Sequence, residues 1–88
     1  MARVPDFDPD GDLAFMYEQV AAHLEARIRA GELPPGSRLP GERGLASEYG
    51  VAIGTARKAI GLLRARGLVA TRAALGSFVA REIPPPQS

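Results

Sequence analysis

Arg57, Lys58, Arg64, Arg66, Arg72 and Arg81 fall in a stretch, residues 49–81, that contains no aspartate or glutamate. Arg38 and Arg43 lie just before it. A guanidinium group is a rigid fork of N–H donors that fits phosphate oxygens and the O6/N7 edge of guanine. The formal net charge is only +1, but it hides an asymmetry: Asp6, Asp8, Asp10 and Asp12 crowd the other end of the chain. This asymmetry suits a polyanion; the plainer alternative is a solvated face that leans positive. Catalytic chemistry finds no support. There is no cysteine and one histidine, and no carboxylate pair stands at catalytic spacing. His23 has no second ligand at metal spacing and reads as a surface residue, and neither a metal nor a cofactor is expected. Glu42 and Glu48 are accounted for by solvation and, for Glu42, by the positive end of a helix.

Elements must hold these cations in place. Eighty-eight residues allow one small domain, and no apolar run approaches a membrane span. A cytoplasmic, nucleoid-associated location is expected. Ala56, Ala59, Ile60 and Leu63 recur at i, i+3, i+4, i+7, which predicts a helix over 52–66 with small residues where another helix crosses. Thr55, Arg57, Lys58, Arg64 and Arg66 occupy its other face, and Gly67 stops it. Residues 42–49 predict a shorter helix closed by Gly50, with Leu45 and Ala46 inward. Two helices around a glycine, the second one basic, form a helix-turn-helix pattern.

Before them, residues 13–30 predict a long helix capped by Asp12 and ended by Gly31, with Met16, Val20, Leu24 and Ile28 inward. Residues 32–40 are a turn, in which Arg38 and Leu39 can pair with a later hairpin and Pro40 starts the next helix. Residues 68–72 and 77–81 read as strands around a turn at 73–76; either Phe78 or Val79 faces the core. The fold expected is small α+β, mainly α: a winged helix-turn-helix of three helices and a β-hairpin wing, spanning 13–82. Residues 1–12 read as a mobile acidic arm with little to bury, and 83–88 as a proline-rich tail.

The segments GELPPGSRLPGER at 31–43 and GLVATR at 67–72 resemble the DNA-binding domain of the GntR family of bacterial transcription regulators. The resemblance runs from about residue 16 to 80. It implies that Arg43 reaches bases or phosphates in the major groove, that Thr55 and Arg57 contact phosphate and base beside Lys58, and that Gly76 brings the wing tip to the minor groove. Departures stand beside it. The family usually has Ser or Thr at Ala52, and commonly Arg at Ile53 and Thr at Gly54. The lost cap costs about 1 kcal/mol, and the lost arginine about 1–3 kcal/mol of base discrimination. Gly41 replaces a serine cap, Gly61 weakens its helix by about 1 kcal/mol, and Ala74 and Leu75 make the wing tip apolar. Ile53, Leu62 and Leu75 are expected to be exposed. If they formed one patch they would suggest a protein contact, and Ile53 could alternatively touch a thymine methyl.

The function expected is a sequence-specific double-stranded-DNA-binding regulator that represses by occlusion. Helix 52–66 would enter the major groove and the 69–81 wing would lie on adjacent backbone or minor groove. The DNA face would comprise Arg38, Arg43, Ile53, Gly54, Thr55, Arg57, Lys58, Arg72, Gly76 and Ser77. A pair of copies would meet on a palindromic operator, since one domain this small binds weakly alone. Most family members carry a C-terminal effector domain. None is in this sequence, so no small-molecule effector is expected; a naturally short protein and an excised domain are both open. The alternative function is a protein-interaction module on the same scaffold, with weak or non-specific DNA binding.

Overall fold

The computed structural model describes residues 4–9 and 15–86. In chain order it has α1 (Met16–Arg29), α2 (Glu42–Tyr49), α3 (Ile53–Ala65), β1 (Val69–Arg72) and β2 (Gly76–Val79). This is the three-helix, β-hairpin architecture expected from the sequence.

The core is where the apolar stripes of the helices meet. Val20, Ala21, Leu24 and Ile28 of α1 are buried, as are Leu45, Ala46 and Tyr49 of α2 and Ala56, Ala59, Ile60 and Leu63 of α3. The central helix, α3, packs against both α1 and α2. Burying Leu63 completely is worth about 1.5–3 kcal/mol. Leu62, expected outside, is a correction: it is half-buried and packs on the edge of this core.

All three helices stop by the same device. At the end of α2, Gly50 takes φ 67°, and the Gly50 and Val51 amides donate back to the Ser47 and Ala46 carbonyls at 3.3 and 3.0 Å. A side chain at Gly50 would meet nothing within 4 Å, so glycine is needed there for its backbone angle and not for space. The same pair of bonds closes α1 onto Ile28 and Arg27, and α3 onto Arg64 and Leu63. The helix starts are weaker. Gly41 and Ala52 make no side-chain cap bond, in line with the lost caps. Pro40 stands just ahead of α2, whose first residue is Glu42. For α1, the expected cap Asp12 and the expected first turn at 13–14 lie outside the described residues. The helix as described begins at Met16, with Phe15 in the cap position and no side-chain cap bond.

The hairpin pairs Val69 with Val79, Ala70 with Phe78, Thr71 with Ser77 and Arg72 with Gly76. Residues 37–39 add an antiparallel rung on its other edge. Leu39 donates to the Ser77 carbonyl and Val79 to the Ser37 carbonyl, both at 2.8 Å. Val79 turns into the core, while Phe78 is only half-buried on the opposite face.

Two terminal segments fold back on the helices. Phe7 stands edge-on to His23 and to Tyr49, with ring centroids 5.4 and 4.9 Å apart, so the N-terminal stretch does bury a side chain. His23 is accordingly not a plain surface residue. The Pro5 carbonyl can only accept, so His23 Nε2 donates to it at 2.7 Å. In the neutral ring, Nδ1 then accepts the Tyr49 hydroxyl at 2.7 Å, and that hydroxyl accepts from Arg27 Nη1 at 3.1 Å. At the other end, Ile83 packs on the core and Arg29 Nη1 donates to the Pro84 carbonyl at 2.8 Å.

Burial pushes the Tyr49 phenol above its ordinary pKa of 10.0, against the opposing pull of Arg27. A raised folded value means the stability from the neutral phenol is complete below pH 10 and is lost as pH rises through that value. Urea denaturation of the wild type and Tyr49→Phe between pH 8 and about 11 is expected to show the wild type losing stability relative to the variant only above about pH 10.

Candidate nucleic-acid interface

Between the start of α2 and the hairpin lies an open groove of about 470 Å³, lined by Arg38, Glu42, Arg43, Thr71, Gly76 and Ser77 among others. Three local features make it. The rung at 37–39 lays Arg38 along the hairpin, the start of α2 contributes Glu42 and Arg43 to the lining, and strand alternation puts Thr71 and Ser77 on the same hairpin face. Their hydroxyl oxygens are 3.0 Å apart, and Arg64 Nη1 at the end of α3 donates to Thr71 Oγ1 at 2.7 Å. The two hydroxyls are therefore tied back to the end of α3. Arg38, Arg43 and Arg72 form no ion pair among the described residues.

The wing tip is bent sharply. Ala74 takes φ 64° and Gly76 φ 110°. A Cβ placed on Gly76 would stand 2.9 Å from Arg38 Nε, so glycine here serves both the backbone angle and the seat of the arginine.

The start of α3 is barer. Gly54 is exposed with nothing near it, Ile53 is 39% exposed, and Thr55 is half-buried. Arg57 leans to α2: its Nε and Nη2 are each 3.1 Å from Glu42 Oε1. Lys58 turns toward α1, with Nζ 5.8 Å from the centre of the Tyr17 ring, within cation–π range.

The ten residues assigned from the sequence thus divide. Arg38, Arg43, Gly76 and Ser77 line one groove. Ile53, Gly54, Thr55 and Arg57 sit together on the first turns of α3. Lys58 is drawn to Tyr17, and Arg72 lines a separate hollow with Ala70, Phe78 and Arg81 on the far face of the hairpin. Alternation explains the last: Arg72 is one residue on from Thr71 and points the other way. Sequence reasoning missed Thr71, which register opposite Ser77 would have found. It also missed the role of Glu42, for which fifteen residues of separation from Arg57 carry no periodic signal. Of the apolar trio, Leu75 is 58% exposed at the wing tip and Ile53 remains outside, while Leu62 does not join them. Among the described residues no cluster of acids and histidines could hold a metal, and no helix is long and apolar enough to cross a membrane.

Residues 16–79 match the family described as "Bacterial regulatory proteins, gntR family". The chain is 39% identical over 66 residues to the HTH-type transcriptional regulator Rv1152 of Mycobacterium tuberculosis, covering 75% of this chain and 54% of that protein. It is 38% identical over 73 residues to the HTH-type transcriptional regulator SmoD of Agrobacterium fabrum, covering 83% of this chain and 31% of that protein. The chain therefore spans about half or less of these curated relatives. Among solved structures, the DNA-binding domain of AraR in complex with operator ORX1 superposes with a TM-score of 0.73 at 30% identity, over 91% of this chain and 100% of that one.

Gly76→Ala is expected to lower stability by about 1–3 kcal/mol from the left-handed backbone alone and to push Arg38 off the hairpin. Denaturation together with the Arg38 side-chain NMR signal would check both effects.

Proposed function

The chain belongs to the gntR family of bacterial regulatory proteins, and from that premise we propose that it is a sequence-specific double-stranded-DNA-binding transcription regulator acting in the cytoplasm on the nucleoid. The observation that carries the reading is the groove between α2 and the hairpin, whose lining brings together Arg38, Arg43 and the paired hydroxyls of Thr71 and Ser77. Cationic forks beside neutral hydroxyl donors suit a phosphate backbone, with arginine also able to read guanine.

In this reading α3 enters the major groove end-first. Arg43 and Arg57 reach base edges or phosphates, and Thr55 and Lys58 contact backbone. The hairpin lies over the adjacent backbone or minor groove, where Gly76 lets the main chain approach closely and Arg72 and Ser77 meet phosphates. Ile53 and Gly54 supply no hydrogen-bond donor from their side chains, so the entry of α3 reads by apolar contact, such as Ile53 on a thymine methyl. Two copies bind a palindromic operator about one helical turn apart, and occupancy of the operator represses. The AraR domain supports the reading because that protein was solved with an operator. Exposure of Ile53 and Leu75 favours a second reading, a protein-interaction surface on the same scaffold.

The test is binding of the wild type, Arg43→Ala and Arg57→Ala to duplexes from around its own gene and to scrambled DNA, over a salt series. The expected outcome is a preference for one fragment that survives rising salt, and a loss of about 1–3 kcal/mol of that preference for each variant that removes a base contact. Equal and steeply salt-dependent binding to every duplex would mean phosphate contacts only. Binding unchanged by both substitutions would contradict the roles given to these arginines, and no binding at low salt would favour the protein-interaction reading.

A further inference from the structure

On the first turns of α3, from Ile53 to Lys58, Arg57 is the side chain best placed to read a base by hydrogen bonds. Ile53 and Gly54 have no side-chain donors, Thr55 is half-buried and Lys58 leans toward Tyr17. Yet Arg57 does not stand alone: Glu42, on the first turn of α2, holds it from the side. The two side chains are 66% and 41% exposed, and an ion pair so open to solvent contributes little to folding stability. Its geometry suggests a different use.

We infer that Glu42 is a positioning residue that turns Arg57 from a phosphate binder into a guanine reader. This rests on the proposed DNA-binding function. A guanidinium has five N–H donors in a fixed fork. Glu42 Oε1 takes the side formed by Nε and Nη2, at 3.1 Å each. The end of the fork, Nη1 with the outer hydrogen of Nη2, stays open. Two parallel donors at that end match guanine O6 and N7. The carboxylate also cancels the charge of Arg57 close to the duplex and repels phosphates near it. The pair therefore adds almost nothing to sequence-independent binding, which follows the number of phosphates neutralised. Its attraction is realised only where a guanine meets the open end. The start of α2 favours an anion, which helps keep the carboxylate in place. With Ile53 and Gly54 mute, this arrangement concentrates the discrimination of α3 in one contact.

The experiment begins with selection of duplexes from a pool with a randomised centre, using the wild-type chain. The recovered duplex and a scrambled duplex of equal composition then titrate the wild type, Glu42→Ala, Glu42→Gln, Arg57→Ala and the Glu42→Ala/Arg57→Ala double variant over a salt series. Circular dichroism checks that each variant is folded. Removing an acid from a DNA face strengthens binding to every sequence, so the informative quantity is the ratio of recovered to scrambled affinity. For Glu42→Ala the ratio is expected to fall about tenfold, while binding to scrambled DNA tightens and its salt slope steepens by about one. Glu42→Gln keeps an acceptor oxygen and so retains more of the ratio than Glu42→Ala. In the Arg57→Ala background, Glu42→Ala changes the ratio no further. An unchanged ratio in Glu42→Ala, or an equal fall in the Arg57→Ala background, overturns the inference and leaves the proposed function standing. A wild type that recovers no sequence above the random pool overturns both.

Discussion

Ala56 and Ala59 have no exposed surface, and everything that faces outward on α3 depends on that close contact. Small residues let neighbouring helices approach α3, and Ile60 and Leu63 then fill the space around them. An α-helix buried along one stripe has its opposite face determined as well. The residues left outside at its start are Ile53, Gly54, Arg57 and Lys58. A larger side chain at Ala56 or Ala59 would force the helices apart and re-aim all of them together, because closely packed interiors absorb added volume poorly.

The hairpin is located by the same packing. Leu68, directly after the glycine stop of α3, is fully buried, and Val69 and Val79 beside it anchor the base of the strands. The rung at 37–39 then joins the turn after α1 to β2, so that a short connecting loop brings Arg38 against the hairpin. Helix stop, buried strand base and edge rung together set the width of the groove. The polar chain from Arg64 through Thr71 to Ser77 ties the hairpin to the end of α3. Arginine serves the walls well because its planar fork can be held on one side and remain available on the other.

Much of this was legible in the residues. The helix stops at Gly31, Gly50 and Gly67 and the apolar periods of α1 and α3 gave the architecture, because both are local properties of the chain. The rung at 37–39 was legible from the turn chemistry before it. What escaped was long-range. Leu62 stands beside the regular stripe, just before Leu63, and only the neighbouring elements decide that it is half covered. Phe7 gains its place through His23 and Tyr49, which come from two helices and share no period with it. The Arg57–Glu42 pair forms across the helix-turn-helix, and the opposed directions of Arg72 and Thr71 follow from the exact strand register. Composition located the cationic half of the molecule, whereas tertiary packing decided which cations converge.

The central claim is that the face formed by α2, α3 and the hairpin receives a DNA duplex. Backbone amide NMR shifts, followed while the isotope-labelled chain is titrated with a short duplex carrying its recovered sequence, test this most directly. The account predicts that the largest changes fall at 38–43, 53–58 and 71–77, with α1's buried stripe and residues 83–86 little affected. Changes centred on 83–86 or on the Phe7–His23–Tyr49 cluster, or none at saturating duplex, would contradict it.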